Sequence, residues 1–387
     1  MKSSGVAQSR EMFADIFAQN FRERRELGAS VSVWQGEEEI VSLAGGSMDR
    51  EQTRAWTEET LVPVWSATKG PTSLACLLAL DEAGLSLEDR VCKIWPCFAA
   101  AGKGQITFGQ VLSHTAGLFA LDRTVSITDY EAVTAAIEEQ APIFTSGTRQ
   151  AYHARTFGFI LDKIVRYITG AKSLGQYLHE IVMGPLGADF WIGLPSEQFS
   201  RVASLYPGKL ATAAPDAFLQ AINTRGSLTQ RAFQSPAGLN SIQHMNQRDT
   251  WALGLASMGG VGTASALGKF YAMLANGGRW GGKVLVPESV IRLFPQTISQ
   301  GMDGVLCSEL AFSAGMMRDP VDADGKKTRA ILGKSISAFG HPGAGGSLCF
   351  ADPERGLSFS YVMNQMEVGV LPGEKALKLV KVFDQLG

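Results

Sequence analysis

Val64-Trp65-Ser66-Ala67-Thr68-Lys69-Gly70-Pro71 is the stretch on which the reading of this chain turns. An apolar lead-in delivers a serine, and a lysine follows three residues later. Residues three apart share one face of a helix, so the Ser66 hydroxyl and the Lys69 amine can meet. A hydroxyl beside a potential base is the minimal equipment for acyl transfer. Taken alone, the pair reads more readily as a surface serine and lysine at the start of an ordinary helix, because both residues are common. No other serine in the chain has lysine at that spacing.

At 387 residues the chain is long for one core, so two lobes or one elaborated α/β unit is expected. A net charge of −2 leaves no basic footprint, which argues against nucleic acid as the main partner. The cysteines, Cys76, Cys92, Cys97, Cys307 and Cys349, are odd in number and form no C-x-x-C pair or His/Cys cluster. They read as free thiols, which fits a reducing cytoplasm. The segment Met1 to Phe13 is polar and has no apolar core of a signal peptide. No apolar run approaches the roughly 20 residues that span a bilayer, so a soluble cytoplasmic protein is expected.

Outward from the opening stretch, the pattern assigns elements in both directions. Met12, Phe13, Ile16, Phe17 and Phe21 predict an amphipathic helix from about Arg10 to Leu27. Ala29 to Gln35 and Glu39 to Ala44 read as a hairpin. The helix carrying Ser66 should run to about Gly84, but Gly70-Pro71 conflicts with a regular first turn there. Helical signals follow at Ile106–Leu112, Asp129–Glu139, Phe157–Ile168 and Ser173–Met183, and strand character returns at Asp189–Ile192. Pro207 to Thr250 lacks periodicity and reads as a long functional loop or cover. Thr263 to Ala275 is helical again. Strand-like runs at Ala311–Met316, Gly346–Phe350 and Leu357–Met363 precede a last helix from about Lys375 to Gln385. Strands first, helices in the middle and strands last predict a discontinuous mixed sheet with a helical insertion.

A serine hydroxyl needs a base. With a reference pKa of about 10.4, lysine is a free amine in roughly one molecule in a few thousand at pH 7. Bringing it near 7 takes about 3 units, on the order of 4 kcal/mol, from burial or neighbouring cations. Tyr152, in a turn-rich stretch before a helix, carries a phenol that can relay a proton. His341-Pro342-Gly343-Ala344-Gly345-Gly346 precedes a strand, and its glycines permit close backbone approach to a ligand. Its N–H groups could hold an oxyanion together with that of Ser66. His114 sits between a short helix and a turn and reads as structural. No G-x-S-x-G, H-E-x-x-H, P-loop or G-x-G-x-x-G pattern occurs.

With Ser66-x-x-Lys69, Tyr152 and His341-Pro342-Gly343 in this order, the sequence resembles the serine β-lactamase and penicillin-binding-protein superfamily, in its class C-like branch. Tyr152-His153-Ala154 stands where that branch has Tyr-x-Asn, and His341-Pro342-Gly343 stands where lactamases have Lys-Thr-Gly. Ile106–Leu118, Gly147–Gly170 and Phe339–Met363 resemble the family as well, so the likeness runs from about Ser32 to Asn364. Ala154 in place of asparagine and His341 in place of lysine make the pattern similar to the family VIII carboxylesterases, which use the lactamase apparatus on esters. A mostly neutral histidine would hold a β-lactam carboxylate less firmly than lysine does.

The resemblance implies an α+β fold with an antiparallel sheet flanked by helices. Residues 1–65 and 189–387 would form the α/β domain and 66–188 a mostly helical one, with the active site between them. It implies an acyl-enzyme mechanism without metal or cofactor. Lys69 and Tyr152 together would deprotonate Ser66, and the N–H groups of Ser66 and Ala344 would form the oxyanion hole. Trp65, Arg155, His341 and Gly343 would line the substrate pocket. The implied activity is hydrolysis of small short-chain esters, with a β-lactamase or D-amino-acid amide hydrolase as the alternative on the same scaffold. A silent acyl-ligand binder is the alternative of another class. Both a monomer and a homo-oligomer fit the sequence.

Overall fold

The computed structural model describes residues 2–209 and 216–386, with side chains from Ser9 onward. Eight strands form the main sheet. In chain order they are β1 (Gly28–Gln35), β2 (Glu38–Gly46), β3 (Ser299–Met302), β4 (Glu309–Phe312), β5 (Met317–Arg318), β6 (Phe339–Pro342), β7 (Leu348–Asp352) and β8 (Leu357–Met363). Their spatial order is β2-β1-β8-β7-β6-β5-β4-β3, and every neighbouring pair is antiparallel. The first hairpin thus joins strands from the far end of the chain, which makes the main sheet discontinuous in sequence.

The longer helices are α1 (Lys2–Glu23), α2 (Lys69–Glu82), α3 (Tyr130–Glu139), α4 (Thr156–Thr169), α5 (Ala264–Ala275) and α6 (Glu374–Phe383). Side chains alternate between the faces of a strand, and β8 uses both. Leu357, Phe359, Tyr361 and Met363 join Phe13 and Phe17 of α1 and Leu379 and Phe383 of α6 in one apolar cluster. Ser358, on the other face, donates its hydroxyl to Gly268 O of α5 at 2.7 Å. Leu74 of α2, Phe157 of α4, Phe270 of α5 and Phe190 belong to a second, larger cluster. The helical segment and one side of the sheet therefore share a continuous core.

Several expectations are corrected. α1 ends at Glu23 rather than Leu27, and Asn20 O accepts from both Arg24 N–H and Glu26 N–H as the chain turns away. The turn delivers Glu26 to a buried position 3.0 Å from Lys375 Nζ. The strand at Phe190–Ile192 does not enter the main sheet. It pairs with Gly260–Gly262, which also pairs with Val62–Pro63, in a small sheet of three strands. The stretch read as an irregular loop holds short helices at Ala217–Asn223, Leu228–Gln234, Ile242–Met245 and Arg248–Ala252. The first three are capped by Asp216, Ser227 and Ser241 side chains. Residues 210–215 of that stretch lie outside the described residues. All five cysteines are free thiols. Among the described residues, no helix is long and apolar enough to cross a membrane.

Candidate active site

The small sheet aims the chain at the site. Val64 N–H donates to Gly260 O at 2.9 Å, and Trp65 follows with φ +51°. A bulky residue with positive φ is strained and persists only where its surroundings hold it. Here Thr68 does so: its hydroxyl donates to Trp65 O at 2.5 Å and accepts from Gly260 N–H at 2.9 Å. Ser66–Thr68 form a single 3-10 turn, and α2 begins only at Lys69. Pro71 is then the third helical residue, where the backbone nitrogen needs no intrahelical partner. Gly70 is required by packing, since a Cβ there would lie 2.2 Å from the Tyr271 hydroxyl. These two residues, which conflicted with a helix begun at Ser66, suit one begun at Lys69.

Lys69 is fully buried. Its Nζ lies 3.0 Å from Ala154 O, 2.9 Å from Ser257 O and 3.5 Å from Ser66 Oγ. No carboxylate pairs with it among the described residues. Burial accordingly holds its amine well below the usual lysine range. The Tyr152 ring centroid is 4.8 Å from the same Nζ. Burial raises the Tyr152 phenol above its ordinary value, a contact with the Ser66 hydroxyl opposes this, and the charge of Asp303 adds to it.

Tyr152 Oη is 3.4 Å from His341 Nε2, while His341 Nδ1 is 2.7 Å from Pro342 O. A carbonyl can only accept, so Nδ1 carries the proton and Nε2 presents a lone pair to the phenol. Burial first, and the nearby Lys69 second, push His341 down to about 3, so it is neutral at physiological pH. His341 is not on the lead-in to a strand, as expected, but within β6.

The loop after β6 has its N–H groups committed at Gly343, Gly345 and Gly346, which donate to Ser347 O, Gly369 O and Gly343 O. Ala344 N–H has no protein acceptor among the described residues. Gly343 serves close packing: a Cβ there would lie 2.1 Å from Val64 O and push β6 away from the Ser66 turn. The Trp65 ring is half-buried against the core. Arg155, expected to face substrate, is turned elsewhere. Its guanidinium donates to Pro236 O, Gly238 O and Asn240 Oδ1 at 2.7, 2.6 and 3.0 Å, which ties down the loop beyond Gln234.

Sequence reading missed the supporting residues Ser257 and His153, while it read His114 as structural. Ser257 supplies a carbonyl to Lys69, and its hydroxyl bridges Arg155 O and Gly158 N–H. His114 Nδ1 accepts from His153 N–H at 3.1 Å, and His153 Nε2 accepts from Leu118 N–H at 3.0 Å. These main-chain contacts leave no spacing signal. A groove of about 1020 Å³ opens further along α2, lined by Leu77, Gln110, Gln150 and Ile298 among others. It touches none of Ser66, Lys69, Tyr152 or His341, so size alone does not locate the chemistry.

Residues 13–380 match the model of the Beta-lactamase family, and the chain belongs to that family. Esterase/beta-lactamase LipL of Mycobacterium tuberculosis (strain ATCC 25618 / H37Rv) is 28% identical over 357 residues, which cover 90% of this chain and 80% of the relative. A solved family VIII carboxylesterase superimposes with a TM-score of 0.86 at 31% identity, covering 97% of this chain and 96% of the other. A solved penicillin-binding protein homologue from Caulobacter crescentus gives 0.85 at 31% identity with the same coverage. The chain is thus a beta-lactamase-fold protein in the company of esterases.

Proposed function

We propose that the protein is a serine carboxylesterase that hydrolyses small neutral esters through a covalent acyl-enzyme on Ser66. The observation that carries this reading is the set of partners of Lys69. A neutral amine has two N–H donors and one lone pair. Two carbonyls at 3.0 and 2.9 Å take the donors, which leaves the lone pair for the Ser66 hydroxyl at 3.5 Å. Lys69 then accepts the Ser66 proton as Oγ bonds to the ester carbon, while Tyr152, a neutral phenol, forms part of the same titrating unit. The N–H groups of Ser66 and Ala344 receive the oxyanion. The C–O bond to the alcohol breaks, and the proton held by the Lys69–Tyr152 unit passes to the departing oxygen. Water, deprotonated by the same unit, releases the acid and restores Ser66.

Esters are favoured over β-lactams by charge. At the position where the lactamase pattern has lysine, this chain has a buried, neutral His341. The Arg155 guanidinium is spent on the loop it holds. A substrate carboxylate therefore finds no free cation among the residues assigned to the pocket. The name of LipL carries both activities, which makes β-lactam turnover the second reading to measure. The test is turnover of p-nitrophenyl acetate and of a chromogenic cephalosporin by one preparation, with Ser66→Ala alongside. Ester turnover should fall at least about 10³-fold in that variant while the thermal midpoint is kept. A fluorophosphonate should add to Ser66 in the parent only. Full ester activity in Ser66→Ala, or a fluorophosphonate adduct elsewhere, defeats the proposal.

A further inference from the structure

We infer that Asp303 is a positioning residue for Tyr152: its carboxylate, delivered by the β3–β4 hairpin, fixes the main chain that presents the phenol to Ser66 and His341. The inference rests on the acyl-enzyme reading above. Asp303 is completely buried at the tip of that hairpin, just beyond the last paired residues, Met302 and Glu309. Its Oδ1 accepts from Val305 N–H at 2.9 Å, from Leu306 N–H at 2.7 Å and from Tyr152 N–H at 3.2 Å. The first two bonds are local and belong to an ordinary aspartate turn. The third reaches across the fold to a residue 151 positions away.

The hairpin does not need that third bond to close. Asp303 N–H donates to Ser308 O and Cys307 N–H to Asp303 O, both at 2.9 Å, which completes the tip from within. A solvent-facing turn could do the same with its carboxylate in water. Instead the carboxylate is buried, with no cation within ion-pair distance among the described residues, which is a costly arrangement. A second clasp lies beside it: Gly304 N–H donates to Gln150 O at 3.0 Å. The hairpin therefore grips the segment 150–152 at two points. The tip is held from behind by the Thr229 hydroxyl, which donates to Val305 O at 2.6 Å. The electrostatics agree with this placement. The Asp303 charge helps keep the Tyr152 phenol above its ordinary range, so the phenol keeps the proton that it offers to His341 Nε2.

The experiment compares kcat, KM and thermal midpoint on p-nitrophenyl acetate for Asp303→Ala, Asp303→Asn and Thr229→Ala, with Asp303→Ala also placed in a Tyr152→Phe background. Asp303→Ala should lower kcat about 100-fold, the scale of a misplaced catalytic group, with KM nearly unchanged. Asp303→Asn keeps an acceptor for Tyr152 N–H and should stay within about tenfold of the parent. Thr229→Ala loosens the same tip without touching Tyr152, so it should lower the midpoint and leave kcat within about twofold. In Tyr152→Phe, Asp303→Ala should bring little further loss, because both changes act through one group. Parent-like kcat in Asp303→Ala, an equal kcat loss in Thr229→Ala, or an undiminished effect in Tyr152→Phe each overturns the inference. Should Asp303→Ala fail to fold, Asp303→Asn decides in the two backgrounds. Any kcat loss that it causes should vanish in Tyr152→Phe, and an equal loss in both backgrounds overturns the inference. These failures leave the acyl-enzyme reading standing, whereas an active Ser66→Ala removes that reading itself.

Discussion

Lys69 and Lys375 are both buried, and they make opposite use of burial. Lys375 Nζ lies 3.0 Å from Glu26 Oε1 and 2.9 Å from Gln365 O, and Glu26 also takes a hydrogen bond from the Tyr361 hydroxyl. Lys69 faces two carbonyls and a serine hydroxyl. A buried ammonium beside a carboxylate is half of an ion pair. A buried ammonium facing only carbonyls has no counter-charge, and desolvation favours loss of its proton. The same side chain thus fastens α6 to the chain after α1 at one end of the molecule and sits without a counter-charge at the other.

Replacing each lysine by methionine breaks the comparison most sharply. Lys69→Met should lower ester turnover by about 10⁴-fold, the upper range for loss of a general base, without lowering the thermal midpoint. Lys375→Met strands the Glu26 carboxylate and should destabilise the fold by about 3–5 kcal/mol, with kcat per folded molecule retained. Activity per titrated site and thermal melts measure both. Equal destabilisation in the two variants would contradict the assignment of opposite roles.

A pH-dependent effect comes from the histidines around Lys69. Burial pushes both His153 and His341 down to about 3, against an ordinary value of 6.5. Between these limits the unfolded chain binds protons that the native state refuses, so stability rises with pH across this window and is lost as pH falls below 6.5. Each histidine contributes a slope of about 1.4 kcal/mol per pH unit in that window. Denaturant midpoints should therefore drop steeply from pH 6.5 towards pH 4, and His341→Gln should make the drop shallower. An identical slope in that variant would show that His341 is not held neutral.

Where a local signal existed, the sequence reading and the structure agree. Thr107 and Gln110 form a reciprocal cap on the helix Phe108–Leu112, and Gly170 closes α4 with φ +71°. The alternation in Leu357–Met363 places β8 to the residue. The strands that escaped are the short ones. β3, β5 and β6 have four, two and four residues, too few for an alternation to stand out, and long-range pairing defines them. The helices between Ala217 and Ala252 escaped because their apolar residues are sparse, although Asp216, Ser227 and Ser241 stand at their caps. In the site, the residues that carry functional groups were visible as Ser66, Lys69, Tyr152 and His341. Ser257, His153 and Asp303 were not, because they act through carbonyls, N–H groups and contacts far apart in sequence. Arg155 shows the converse: a charged residue beside Tyr152 invites a substrate role, and its hydrogen bonds assign it to a loop.

The central claim is that Lys69 is a free amine when substrate arrives. The pH profile of kcat/KM for p-nitrophenyl acetate tests it most directly, since that ratio reports ionisations of the free enzyme. A depressed Lys69 predicts a plateau reached well short of the reference lysine value of about 10.4. A profile that keeps climbing tenfold per unit towards pH 10 would show an ordinary ammonium at Lys69 and contradict the account.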